Sequence, residues 1–149
     1  MIDIGGYEFK GPYTDPRQIG KWKSGVYVIV DIVDGKPRCV LDIGTSGQIK
    51  QRVKGNSRKK CWHEHKHGQI GYCVKYTQGS TDVDTYNYAP PAVRKSNDDT
   101  RKERLIIEDE LFWKYDVPCG TNHWEQKEKA INRYKQYEEM FGPRAQYEL

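Results

Sequence analysis

The chain predicts an α+β fold: a small, mostly antiparallel three-stranded sheet flanked by helices. Three observations carry that expectation. Two runs rich in β-branched residues flank Asp34-Gly35, the signature of a two-residue hairpin turn. A third run, 70–76, alternates Ile70, Tyr72, Val74 and Tyr76 onto one face. Thr45 with Gln48, and Thr100 with Glu103, have the capping-box spacing that opens a helix. The element order is then β-β-α-β-α-α.

With 149 residues the chain fits one domain, 1–149, long enough to bury a core. Its 36% hydrophobic and 31% charged content describes a soluble protein with a wet surface. No apolar run approaches membrane-spanning length and the first residues lack a signal-peptide pattern, so the expectation is a cytoplasmic location and no membrane partner. Cys39, Cys61, Cys73 and Cys119 show no Cys-x-x-Cys spacing and read as reduced thiols, without a disulfide framework. The formal charge of +4 is a mild tilt, but its distribution says more. Lys50, Arg52, Lys54, Arg58, Lys59 and Lys60 follow one another with no acid among them. Such a run is ordinarily a solvated loop. Directly after a candidate phosphate-binding helix, Lys50, Lys54, Arg58, Lys59 and Lys60 read instead as a nucleic-acid footprint.

Taken in order, residues 1–23 form a loose lead-in with turns at Gly5-Gly6, Gly11-Pro12 and Asp15-Pro16, packed down by Tyr7, Phe9, Tyr13 and Trp22. The run 25–33 is the first strand and 38–43 its partner. A two-residue loop makes Val33 face Lys36 and Ile32 face Pro37; continued without a bulge, the count sets Tyr27 opposite Asp42, roughly 5 Å apart at the β-carbons. Gly44 turns the chain, and a helix begins at Thr45 with Ile49 and Val53 on one face and Arg52 on its flank. A guanidinium on rigid structure beside a strand end is well placed to grip phosphate. His63, His65 and His67 alternate, in phase with Cys61, which invites a zinc site, although the spacing of the set is unusual. The polar stretch 77–99, with Pro90-Pro91, is too long for a mere connector and reads as a flap or a disordered segment. A helix from Thr100 to about 115 presents Leu105, Ile107, Leu111, Phe112 and Tyr115 as an apolar arc, with Glu108 near its centre. A carboxylate there needs a partner or a metal, and an i,i+4 pair with Arg104 is the plain structural alternative. A last helix spans 123–141.

Gly25-Val26-Tyr27, Asp42-Ile43-Gly44, Arg52 and Glu108, in that order, resemble the GIY-YIG nuclease family, over most of residues 24–122. The resemblance implies a divalent-metal-dependent endonuclease that hydrolyses DNA, double-stranded for choice. Tyr27 would orient or deprotonate the attacking water, Arg52 would steady the scissile phosphate, and Glu108 would hold Mg²⁺ or Mn²⁺. By the same resemblance His63 contacts phosphate at the edge of the site, and Asn122 is a polar residue close to it. The single-domain form resembles the small restriction or repair enzymes of the family, and two cuts would suit a homodimer. Asp42 stands where the second motif has a tyrosine, so it is either a rearranged catalytic residue, as a second metal carboxylate, or the mark of an impaired nucleic-acid-binding module. A domain that binds no nucleic acid is the third reading.

Overall fold

The computed structural model describes residues 1–77, 100–115 and 117–119. Most of the 77–99 stretch, the expected last helix and Asn122 lie outside them. The fold is α+β, but its sheet has five strands rather than three: β1 (Ile2–Ile4), β2 (Tyr7–Tyr13), β3 (Gly25–Val33), β4 (Lys36–Ser46) and β5 (Gln69–Tyr76). All pairings are antiparallel, in the spatial order β1-β2-β5-β3-β4.

The two added strands come from the segment read as a lead-in. Gly5 and Gly6 take φ of +63° and +92°, which closes a two-residue hairpin with Ile4 opposite Tyr7. Ile4 and Phe9 are fully buried, and β2 pairs with β5. The Gly-Gly dipeptide between Ile2/Ile4 and Tyr7/Phe9 was the hairpin signal in the sequence.

Helices cover both faces of the sheet. On one, Val26, Val28 and Val30 of β3 pack with Ile4, Phe9 and the helix α3 (Arg101–Lys114) through Ile107 and Leu111. On the other, Tyr27 and Ile29 pack with α1 (Ile49–Lys54) through Ile49 and Val53, and with α2 (Lys59–His65) through Trp62. The alternation of β3 thus serves two cores, which is why that strand reads as an unbroken apolar run.

The hairpin begins in the expected register, Val33 opposite Lys36 and Ile32 opposite Pro37. Two bulges on β4 then shift it. Asp31 pairs with Cys39, passing over Arg38, and Ile29 pairs with Asp42, passing over Leu41. Tyr27 therefore lies opposite Gly44, not Asp42. Gly44 does not turn the chain, since β4 runs on to Ser46. Its role is space: a β-carbon there would lie 2.2 Å from Cζ and from the hydroxyl oxygen of Tyr27. The helix expected at Thr45 starts only at Ile49, after Gln48, whose amide is held by the Ser46 hydroxyl at 2.9 Å.

Because the first hairpin completes a core, Phe9→Ala is expected to lower the unfolding free energy by about 3–5 kcal/mol. Denaturant unfolding measures this, and a variant of unchanged stability would contradict the placement of β2.

Candidate active site

Among the described residues β4 is an edge strand, and the candidate site is a cleft of about 560 Å³ at its C-terminal end. Tyr27 and the α1 helix reach the cleft from one face of the sheet and α3 from the other. Tyr27, Arg52 and Glu108, far apart in sequence, line it together with Asn56, Arg58, Arg101 and Arg104. Four guanidinium groups thus surround one carboxylate, since Glu108 is the acid lining the cleft among the described residues.

The Tyr27 phenol is held from below. Asn56 Nδ2 donates to its oxygen at 3.0 Å and Arg58 Nη2 at 3.3 Å. Asn56 also folds its own turn, its Oδ1 accepting from the Arg58 amide at 2.8 Å. Arg58 is aimed by Asp42, whose Oδ2 accepts from Arg58 Nε and from Trp62 Nε1, both at 2.7 Å. Asp42, Arg58 and Tyr27 therefore form one chain from the core to the cleft. The Asp42 side chain is fully buried and does not line the cleft, so it cannot supply a second metal carboxylate. The bulge at Leu41, invisible to a simple count, separates it from Tyr27 in the ladder and leaves it facing Trp62 and Arg58.

Glu108 lies on the flank of the α3 arc, half-buried. Thr45, opposite Val26 on the α3 side of β4, hydrogen-bonds its carboxylate. Burial, reinforced by Asp109 and Asp42, pushes the Glu108 carboxyl up to about 7, against the opposing pull of Arg58 and Thr45. Arg58 is a cation that opposes this rise; the Arg104 guanidinium donates at 2.9 Å to the Thr100 hydroxyl, which also meets Thr77 at 3.0 Å. Thr100 accordingly precedes α3 without making the side-chain cap its spacing promised. Burial also raises the Tyr27 phenol, with Asp42 and Glu108 adding to it and Arg58 and Arg52 opposing. Asp42 itself is raised by burial, against its bonds to Arg58 and Trp62.

Among the described residues, most of the other expected ones lie outside the cleft. His63 is exposed on α2 and does not line the cleft. The three histidines do not share a side, because His63 and His65 are two residues apart on a helix and His67 leaves it to meet the buried Asp31. Of the basic footprint, Arg58 alone enters the cleft. Lys50 bonds the Arg17 carbonyl at 3.1 Å, Lys59 bonds the Lys54 carbonyl, and Lys60 pairs with Glu64 at 3.9 Å. Lys54 is exposed on α1, outside the cleft. Cys61 and Cys119 are joined as a disulfide, against the expectation of reduced thiols, because α2 folds back beside the segment that follows α3. Cys39 and Cys73 remain free. Sequence reasoning missed Thr45 as a partner of Glu108, and Asn56 and Trp62 altogether. Arg101, Arg104 and Glu108 stand at i, i+3 and i+7 on α3, one stripe that the sequence did display.

The Glu108 shift has a defined sign. Its folded pKa, about 7, lies above the ordinary carboxyl value of 4.5. The stability that protonation contributes is therefore complete below 4.5 and lost as pH rises through 7. Glu108→Gln is expected to match the parent in stability at pH 4 and to exceed it by roughly 3 kcal/mol at pH 8, as an upper figure from about 1.4 kcal/mol per pKa unit. Chemical denaturation at the two pH values reads this. Separately, Asp42→Ala leaves the half-buried Arg58 without its carboxylate partner and Trp62 Nε1 without an acceptor, and is expected to cost about 1–3 kcal/mol in the same denaturation measurement. No family model, curated protein or solved structure matches the chain.

Proposed function

We propose that the cleft hydrolyses phosphodiester bonds of DNA with the help of a divalent metal, as the GIY-YIG resemblance implies. The observation that carries this reading is the meeting of Tyr27, Arg52, Arg58 and Glu108 in one polar cleft at the β4 end of the sheet.

The residues fit a magnesium or manganese ion. Glu108 offers a carboxylate in a cleft that, among the described residues, otherwise holds cations and neutral groups, and its raised pKa marks an acid that gains from a nearby divalent charge. One carboxylate, with water and substrate oxygens completing the shell, is a usual magnesium arrangement. The bound ion would supply Lewis-acid stabilisation of charge on the phosphate.

The protein groups do the rest. Arg52, exposed at the mouth, and Arg58, rigidly held, donate to phosphate oxygens as negative charge builds in the transition state. Arg101, exposed, extends the cationic wall along α3 and suits a flanking phosphate, while the buried Arg104 adds positive charge from behind it. Both lone pairs of Tyr27 already accept from Asn56 and Arg58, and its phenol is raised. It therefore enters as a neutral donor that orients water or a phosphate oxygen. Its conversion to a base requires further positive charge in the cleft, and Asn56 and Arg58 stand ready to stabilise the phenolate. Asp42 acts through Arg58, as a positioning residue.

Four arginines around one cleft also describe a phosphate clamp without chemistry, so the deciding experiment is cleavage. Supercoiled plasmid incubated with the protein and Mg²⁺ or Mn²⁺ is expected to be nicked or linearised. Glu108→Ala is expected to lose this activity by several orders of magnitude, and Arg58→Ala by about 10²–10³-fold. Retained salt-dependent binding with no cleavage by the parent would establish the clamp instead. Gly44→Ala is expected to displace the Tyr27 ring and reduce cleavage at least about tenfold; unchanged rates would remove Tyr27 from the mechanism.

A further inference from the structure

We propose that Cys61, His65 and Cys119 form a zinc site in the reduced protein, one that fastens α2 to the segment after α3. The site is separate from the cleft and does not rest on the nuclease reading.

Cys61 and His65 are four residues apart on α2 and so share one side of the helix. Cys119 arrives 58 residues later and is fixed by its own backbone, its amide donating to the Leu41 carbonyl at 3.0 Å. The three ligand atoms lie within 4.8 Å of one another. His65 Nδ1 stands 3.5 Å from Cys61 Sγ and 3.8 Å from Cys119 Sγ. Zinc bonds of about 2.3 Å to sulfur and 2.0–2.1 Å to nitrogen, at tetrahedral angles, place nitrogen and sulfur about 3.6 Å apart. The imidazole is thus already at ligand distance from both sulfurs. Without metal, its Nδ1 has the Cys61 carbonyl as partner at 2.9 Å. The same Cys-x₃-His spacing recurs in the sequence at Cys119 and His123, the latter outside the described residues.

The disulfide in the structure is the oxidised form of this pair. Two equivalents of a small thiol reduce it to two cysteine thiols and yield the thiol's own disulfide. Zinc then binds both sulfurs with release of their two protons. A mere structural disulfide would need no imidazole beside its two sulfurs. Neighbouring Trp62 donates to Asp42, so a metal at this place would also steady the chain that leads to Tyr27.

The test is elemental analysis of the full chain purified with a thiol reductant and no chelator, then incubated with zinc sulfate and dialysed. About one tightly held zinc per chain is expected. Cobalt in its place is expected to give a thiolate-to-metal charge-transfer band. Cys61→Ser and Cys119→Ser are expected to lose the zinc, while Glu108→Gln keeps it, which separates this site from the cleft. If the serine variants fail to fold, the zinc count and the cobalt band of the parent decide alone. Zinc-free parent protein whose four cysteines all react as free thiols after reduction would overturn the proposal, as would zinc lost in Glu108→Gln and kept in Cys61→Ser.

Discussion

A carboxylate with no access to water governs the arrangement of this molecule. Asp42 sits inside the sheet–helix interface, where an isolated negative charge is severely penalised. It is tolerated because Arg58 and Trp62 both donate to its Oδ2. Those two donors come from the start and the end of the short segment 58–62, so satisfying one oxygen orients that segment against β4. Oδ1 lacks a well-formed hydrogen bond, which leaves the ion pair with Arg58 as the principal compensation. Arg58 is in turn held above its ordinary pKa: burial works against its charge, and Asp42 outweighs it.

From that anchor the remaining geometry follows. Once Arg58 is fixed, its second nitrogen reaches the Tyr27 oxygen, and the Asn56 turn that precedes it delivers another donor to the same atom. The phenol can occupy that place only because Gly44 carries no side chain beneath it. A buried ion pair is weak evidence for stability on its own. Here its consequence is positional, since it converts a flexible guanidinium into a fixed donor at the floor of the cleft.

The edge position of β4 accounts for the cleft itself. A central strand separates the two faces of a sheet, whereas groups on opposite faces can meet around an edge. Tyr27 reaches the end of β4 from the α1 side and Glu108 from the α3 side, with Thr45 tying the carboxylate to the strand. The partial burial that makes this possible is also what raises both the phenol and the carboxyl. A site built this way sacrifices stability near neutral pH for acids and phenols poised to respond to added positive charge.

Local order was legible in the chain because it depends on neighbours in sequence. The Asp34-Gly35 hairpin, the β5 alternation and the α3 helix all announce themselves through turn chemistry and periodicity, although Glu108, expected near the centre of the α3 arc, lies on its flank. The Gly5-Gly6 hairpin carried an equally local signal, obscured by the polar residues around it. Tertiary structure alone decided the rest. A bulge changes the register without altering the composition of a strand, so the partner of Tyr27 could not be counted from the loop. Whether Asp42 faces water or the core depends on Arg58 and Trp62, which pack from another element. The pairing of Cys61 with Cys119 depends on two segments that only the folded chain brings together. Pattern along a chain reports what each residue prefers, while the identity of its neighbours across the core is settled by how the burial demands of all the elements are met at once.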